Sequence, residues 1–69
     1  MKIKCGFSFL ITKNNYTGEV INIDINNKIT RCAFFDNEGY LYKICDVYVS
    51  TIENNLEAGR YKEIKRKVV

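Results

Sequence analysis

The alternation of apolar and polar residues near the N-terminus constrains the fold of this chain more than any other feature. Successive side chains of a β-strand point to opposite faces, so apolar residues at every second position mark a strand with one buried face. The pattern therefore predicts a strand over residues 3–11. Its buried face would consist of Ile3, Cys5, Phe7, Phe9 and Ile11.

Turn signals at regular spacing predict that further strands follow. Asn14-Asn15, Asn26-Asn27 and Asp36-Asn37-Glu38-Gly39 separate segments of strand length, and asparagine and glycine adopt the left-handed backbone of tight turns. We expect strands over residues 17–25, 28–36 and 40–49, hence a mostly β chain with a small antiparallel sheet or barrel of four or five strands. In the second strand, the residues predicted to face inward are Ile21, Ile23 and Ile25, and those predicted to face outward are Val20, Asn22 and Asp24.

The segment after residue 49 admits two interpretations. Ser50-Thr51-Ile52-Glu53 fits a capping box, and a short C-terminal helix is favoured from about Leu56 onward. Gly59 inside that helix would cost about 1 kcal/mol relative to alanine. The alternative is a short fifth strand over residues 49–52, followed by a turn at Asn54-Asn55 and a basic tail.

Residues 17–52 carry a pattern that resembles the SH3-like small barrels. The residues that carry it are Gly18-x-Val20, Ile23-Asp24, Ala33-Phe34-Phe35-Asp36, Gly39-Tyr40-x-Tyr42 and Asp46-Val47. The plan of four strands and a helix is similar to that of PC4-like single-strand binders. SH3-like domains bind peptides, methylated tails, RNA or DNA, so the resemblance implies a binding module and leaves its ligand open.

Composition excludes several classes of function. The 69 residues suffice for one domain over residues 1–69, and they include no histidine, which excludes Ser-His-Asp triads, Cys-His pairs and His-ligated zinc. The three cysteines lack CxxC spacing, so reduced thiols in the cytoplasm are expected. We expect a protein that is not an enzyme and uses no metal or cofactor. A two-residue loop at Glu38-Gly39 would place Cys32 opposite Cys45, and a three-residue loop would shift them out of register.

Charge divides the chain into two basic ends and an acidic middle. Residues 1–14 contain three lysines and no acidic residue, residues 15–56 contain three basic and six acidic residues, and residues 57–69 contain five basic and two acidic residues. Clustered cations bind phosphates, so the basic ends predict a nucleic-acid interface, with a basic C-terminal segment over about residues 57–69. On a helix, Lys62, Lys65 and Arg66 would share one face. The candidate binding residues are Lys2, Lys4, Arg60, Lys62, Lys65, Arg66 and Lys67.

Tyr40, Tyr42 and Tyr48 alternate along the predicted fourth strand and are candidates for a platform that stacks bases or contacts a partner. The leading hypothesis is a small nucleic-acid-binding module for DNA or RNA. The alternative is a phage or mobile-element protein that inhibits a host protein, such as an anti-CRISPR or another anti-defence inhibitor, through its acidic middle. The acidic residues are Glu19, Asp24, Asp36, Glu38, Asp46 and Glu53.

The size and the terminal segments carry two further expectations. A core this small, without disulfide or metal support, favours a homodimer. No membrane segment or targeting signal is recognisable, so a soluble cytoplasmic protein is expected.

Overall fold

A computed structural model describes residues 3–65, which form a five-stranded antiparallel sheet and one helix. The elements are β1 (Ser8–Ile11), β2 (Tyr16–Asp24), β3 (Ile29–Phe35), β4 (Leu41–Tyr48), α1 (Val49–Glu57) and β5 (Tyr61–Ile64). The strand order is β4-β3-β2-β1-β5, so α1 connects the two edge strands of the open sheet. The predicted mostly β fold, with four or five strands and a short helix, is confirmed. Within the described residues, no helix has the length and apolar composition needed to cross a membrane.

Phe9 lies at the centre of the core. Its side chain is completely buried, its ring stacks on Tyr61 with 4.6 Å between the centroids, and it meets Phe34 edge-on at 6.1 Å. The core is formed by one face of the sheet, α1 and the segment that precedes β1. Its buried members are Ile3, Phe7, Phe9, Val20, Cys32, Phe34, Val49 and Ile52.

The first predicted strand is shorter than its alternation suggests. Gly6 has a φ of +90°, and the N–H of Phe7 donates to the carbonyl of Lys4 at 2.9 Å, which forms a turn before β1. Ile3, Phe7 and Phe9 are buried as predicted, whereas Cys5 is exposed. The turn interrupts the strand geometry on which the prediction for Cys5 depended.

An irregularity at Ile21 reverses the faces predicted for two residues of β2, Val20 and Ile21. The register with β3 shifts between Val20 and Asn22, as a β-bulge does when one strand contains an extra residue. Val20 is completely buried, and Ile21 and Ile25 are exposed. The outward assignment of Val20 and the inward assignment of Ile21 were therefore wrong, because the extra residue shifts the alternation of faces at that point. Ile23 packs against the core, as predicted. Ile25 is exposed, contrary to prediction, because it lies in the turn after the end of β2.

The C-terminal segment contains a helix and a strand, but neither lies where the sequence placed it. Helix α1 begins at Val49 without a side-chain cap, and it contains Asn54 and Asn55, so the expected capping box and turn are absent there. Gly59, with a φ of +80°, donates its N–H to Leu56, and Arg60 donates its N–H to Asn55. These bonds form a Schellman motif, in which Gly59 ends the helix instead of weakening it.

The close approach of Phe9 to Gly18 yields a stability prediction. The two residues are cross-strand partners, and a Cβ atom on Gly18 would lie 2.7 Å from Cε2 of Phe9 and still closer to Cζ. We expect Gly18→Ala to lower the free energy of unfolding by about 1–3 kcal/mol, as overpacking does. Urea unfolding measures the loss, and Thr17→Ala, on the other face of β2, is the control. Phe9→Leu should cost less in the Gly18→Ala background than in the wild type. Equal costs would contradict direct coupling.

The free edge of β4 yields a prediction about assembly. Its eight residues pair only with β3 among the described strands, and Leu41, Ile44 and Tyr48 are more than half exposed. A long apolar edge of this kind readily pairs with another strand, so we expect the dimer to form by antiparallel pairing of two β4 edges. Sedimentation should give twice 8.1 kDa, and Ile44→Lys should give the monomer with an unchanged circular dichroism spectrum. A wild-type chain that stays at the monomer mass at high concentration would contradict this expectation.

Candidate nucleic-acid interface

The pairing of β1 with β5 brings the two basic ends of the chain together. Ser8 lies opposite Ile64 and Ile11 lies opposite Tyr61, although about fifty residues separate the strands along the sequence. Lys65 therefore follows β5 at the end of the ladder where β1 begins. Lys13 follows β1 at the other end, where Arg60 precedes β5. The sequence separates these cations, and the sheet assembles them along one border.

We call this border the basic edge, defined by four exposed side chains of the described residues. Lys62 lies opposite Leu10 in the ladder, not on a helix, so the predicted helical stripe of Lys62, Lys65 and Arg66 was wrong. The segment extends because Gly59 ends α1 before it. Lys2, Arg66 and Lys67 lie outside the described residues. The members of the basic edge are Lys13, Arg60, Lys62 and Lys65. Lys4 is exposed in the segment before β1, next to the turn at Gly6.

Hydrogen bonds hold Arg60 at the start of β5. Its Nε donates to Oδ1 of Asn55 in α1 at 2.7 Å. Its carbonyl accepts from the backbone N–H of Thr12 at 2.9 Å and from the Thr12 hydroxyl at 3.0 Å. One end of the basic edge is therefore tied both to the helix and to the turn between β1 and β2.

The three tyrosines predicted to form a platform do not share one face. Tyr40 lies in the turn between β3 and β4. Tyr48 faces away from the core, because its neighbour Val47 packs against the core. Tyr42 lies at a register shift between β3 and β4, and its ring meets that of Tyr16 edge-on at 5.5 Å. The structure therefore separates Tyr42 from the other two and pairs it with a tyrosine of β2.

Tyr42 and Tyr16 border an open cleft of about 480 Å³, which we call the tyrosine cleft. The Nζ of Lys43 lies 5.4 Å from the ring centroid of Phe34 and 5.7 Å from that of Tyr42, distances at which a cation is attracted to an aromatic ring. The aromatic residues that line the cleft are Tyr16, Phe34, Tyr42 and Tyr61.

Sequence reasoning missed most of this cleft. Tyr61 stands between Arg60 and Lys62, and this aromatic residue among cations was the available signal. No local sequence pattern predicts that Tyr16, Tyr42 and Lys43 line one cleft. Their proximity depends on the pairing of separate strands and on the irregularity at Tyr42.

The acidic middle is divided among separate places in the fold. Asp36 and Glu38 lie in the turn at one end of β3, and Asp24 lies at the other end. Asp36 accepts from the N–H groups of Glu38 and Tyr40. Hydrogen bonds from Asn27, the side-chain amide foremost, lower the pKa of Asp24. These carboxylates stabilise their own turns, as aspartates in turns commonly do.

A second groove, of about 360 Å³, lies beside Asp24 and contains charges of both signs. Nε of Arg31 pairs with Asp46 at 3.1 Å, and both side chains are largely exposed. Among the described residues, histidine, cysteine, aspartate and glutamate form no group of three able to hold a metal ion.

Cys32 and Cys45 lie opposite each other as free thiols. Asp36 and Tyr40 close a three-residue loop, since the N–H of Asp36 donates to the carbonyl of Tyr40. That loop alone would put the cysteines out of register. The extra residue at Tyr42 restores their opposition, a compensation that local sequence patterns did not indicate.

Comparison with known proteins identifies no relative: no family model, no curated protein and no solved structure matches the chain. The resemblance of residues 17–52 to SH3-like barrels, and the similarity to the PC4-like plan, stay predictions. The basic edge and the tyrosine cleft are therefore the features of the molecule that bear on its function.

The buried thiol of Cys32 predicts how stability depends on pH. Burial raises the pKa of Cys32 above its ordinary value of 9.0, and burial also raises that of Tyr61. Above about pH 9 for Cys32, and above about pH 10 for Tyr61, the folded chain keeps a proton that the unfolded chain releases. The free energy of unfolding therefore falls as the pH rises. Each group contributes at most about 1.4 kcal/mol per pH unit.

Urea unfolding at about pH 7 and about pH 10 measures this loss. Cys32→Ala should reduce the fall in stability between the two pH values, whereas Cys5→Ala, at an exposed position, should keep the wild-type profile. The same fall in wild type and Cys32→Ala would show that this thiol is not responsible.

Proposed function

We propose that the protein is a small non-enzymatic module that binds nucleic acid through the basic edge. The observation that carries this proposal is the β1–β5 ladder, which places cations from both ends of the chain along one border of the sheet. Phosphate contacts of this kind supply most of the affinity of nonspecific nucleic-acid binding.

The length of the basic edge suits a short stretch of nucleic acid. Arg60 and Lys65 lie at the two ends of β5, and an extended chain advances about 3.3 Å per residue, so they stand roughly 17 Å apart. One strand of a duplex advances about 3.4 Å per nucleotide, so this length matches about five nucleotides. The basic edge therefore has the dimensions to contact about four phosphates.

The salt dependence of binding tests the proposal. Four phosphate contacts predict a slope of log affinity against log salt of about −3.6 for a duplex and about −2.8 for a single strand. Lys62→Glu combined with Lys65→Glu should weaken binding to all sequences alike, because phosphate contacts do not specify sequence. The slope should become shallower by about one for each lysine that no longer binds a phosphate. Fluorescence anisotropy with a labelled duplex and a labelled single strand measures both quantities.

Lys28→Glu is the control for the position of the charge. Lys28 is exposed in the turn between β2 and β3, and two strands, β2 and β1, separate it from β5. The Lys28→Glu variant should weaken nucleic-acid binding less than the single change Lys62→Glu, which alters the net charge by the same amount. If neither probe binds below about 100 μM at physiological salt, the weak end of nonspecific affinity, the proposal fails and a protein partner becomes the better hypothesis.

A further inference from the structure

The tyrosine cleft opens beside one end of the basic edge. Asn14, which follows Lys13 in the chain, lines the cleft, as does Ile11, two residues before Lys13. Tyr61, which stands between Arg60 and Lys62, also lines it. A phosphate backbone that follows the basic edge therefore passes the mouth of the cleft.

The rings of the cleft differ in how firmly they are held. Tyr61 is fixed by its stack on Phe9, and Phe34 is almost completely buried. Tyr42 is 60% exposed and touches Tyr16 edge-on, so part of its ring surface is open to a further aromatic ring. Offset-stacked and edge-to-face contacts are the favoured geometries for such rings.

The charge of the cleft selects against a cationic ligand. Among the described residues that line it, Lys43 is charged and none is acidic. The groove beside Asp24, in contrast, is lined by two carboxylates and Arg31. A ligand with an aromatic group on an anionic backbone can stack on the rings of the tyrosine cleft and pair its negative charge with Lys43.

We propose that the tyrosine cleft binds an unpaired base of a single-stranded nucleic acid whose phosphates lie on the basic edge. This inference rests on the proposed function and adds that the nucleic acid is single-stranded. Bases stack on aromatic side chains with little dependence on sequence. The bases of an intact duplex are stacked within the helix and do not reach the cleft. The protein therefore prefers a single strand to a duplex of the same sequence.

Tyr42→Ala and Tyr48→Ala form a matched pair of variants for testing the base site. Both side chains are about 60% exposed on β4, but only Tyr42 lines the cleft. With a short labelled single strand, Tyr42→Ala should lower affinity by about 5- to 150-fold, the range for loss of one stacked base. Tyr48→Ala should leave this affinity unchanged. Tyr42→Phe, which keeps the ring, should retain most of it, and circular dichroism should show the same fold for all variants.

Two further measurements separate the cleft from the basic edge. Tyr42→Ala should change neither the affinity for the matched duplex nor the slope of log affinity against log salt, because both depend on phosphate contacts. Since the chain contains five tyrosines and no tryptophan, tyrosine fluorescence reports stacking directly. The single strand should quench it, and Tyr42→Ala should reduce that quenching.

The outcomes distinguish failure of the cleft from failure of the proposed function. Equal affinity for single strand and duplex, or equal losses in Tyr42→Ala and Tyr48→Ala, would overturn the base site. Salt-dependent duplex binding would then still support the basic edge. If neither probe binds, both proposals fail.

Discussion

The fold depends on the packing of the Phe9 ring over the backbone of Gly18. Position 18 has no side chain, so the ring approaches β2 more closely than a Cβ atom would allow. In this position Phe9 also stacks on Tyr61 and meets Phe34 edge-on. A single buried ring therefore contacts residues of β2, β3 and β5 from its position on β1. Its stack on Tyr61 packs β5, the last strand of the sheet, against the core.

The same packing positions the proposed binding surface. Tyr61 faces Phe9, so its neighbours Arg60 and Lys62 are carried on a strand with a fixed register against β1. The stack thereby links the stability of the core to the placement of charge, because the border formed by β1 and β5 carries Lys13 from one end of the chain and Arg60 from the other. Tyr61 also lines the tyrosine cleft, so the core supplies one wall of the proposed base site.

Two register shifts account for much of the difference between expectation and structure. The one at Ile21 exposes a side chain that strict alternation would bury and allows Val20 into the core. The one at Tyr42 lets Lys43 lie opposite Phe34 and restores Cys45 opposite Cys32 after the three-residue loop. An extra residue is tolerated where cross-strand packing improves, and that gain depends on residues distant in the sequence. Alternation within one strand therefore predicted the strands but not all of their faces.

The sequence by itself determined the β class, the first three turns, the burial of Phe7 and Phe9, and the concentration of positive charge at both ends. These properties follow from each residue and its near neighbours, through side-chain alternation, the backbone preferences of asparagine and glycine, and charge. Only the tertiary structure decided that Lys13 and Arg60 lie along one border, that Gly59 ends the helix, and that Tyr16 meets Tyr42. The pairing of β1 with β5 and the tyrosine cleft depend on contacts between distant segments. Such contacts form only when the whole core packs, so no local pattern specified them.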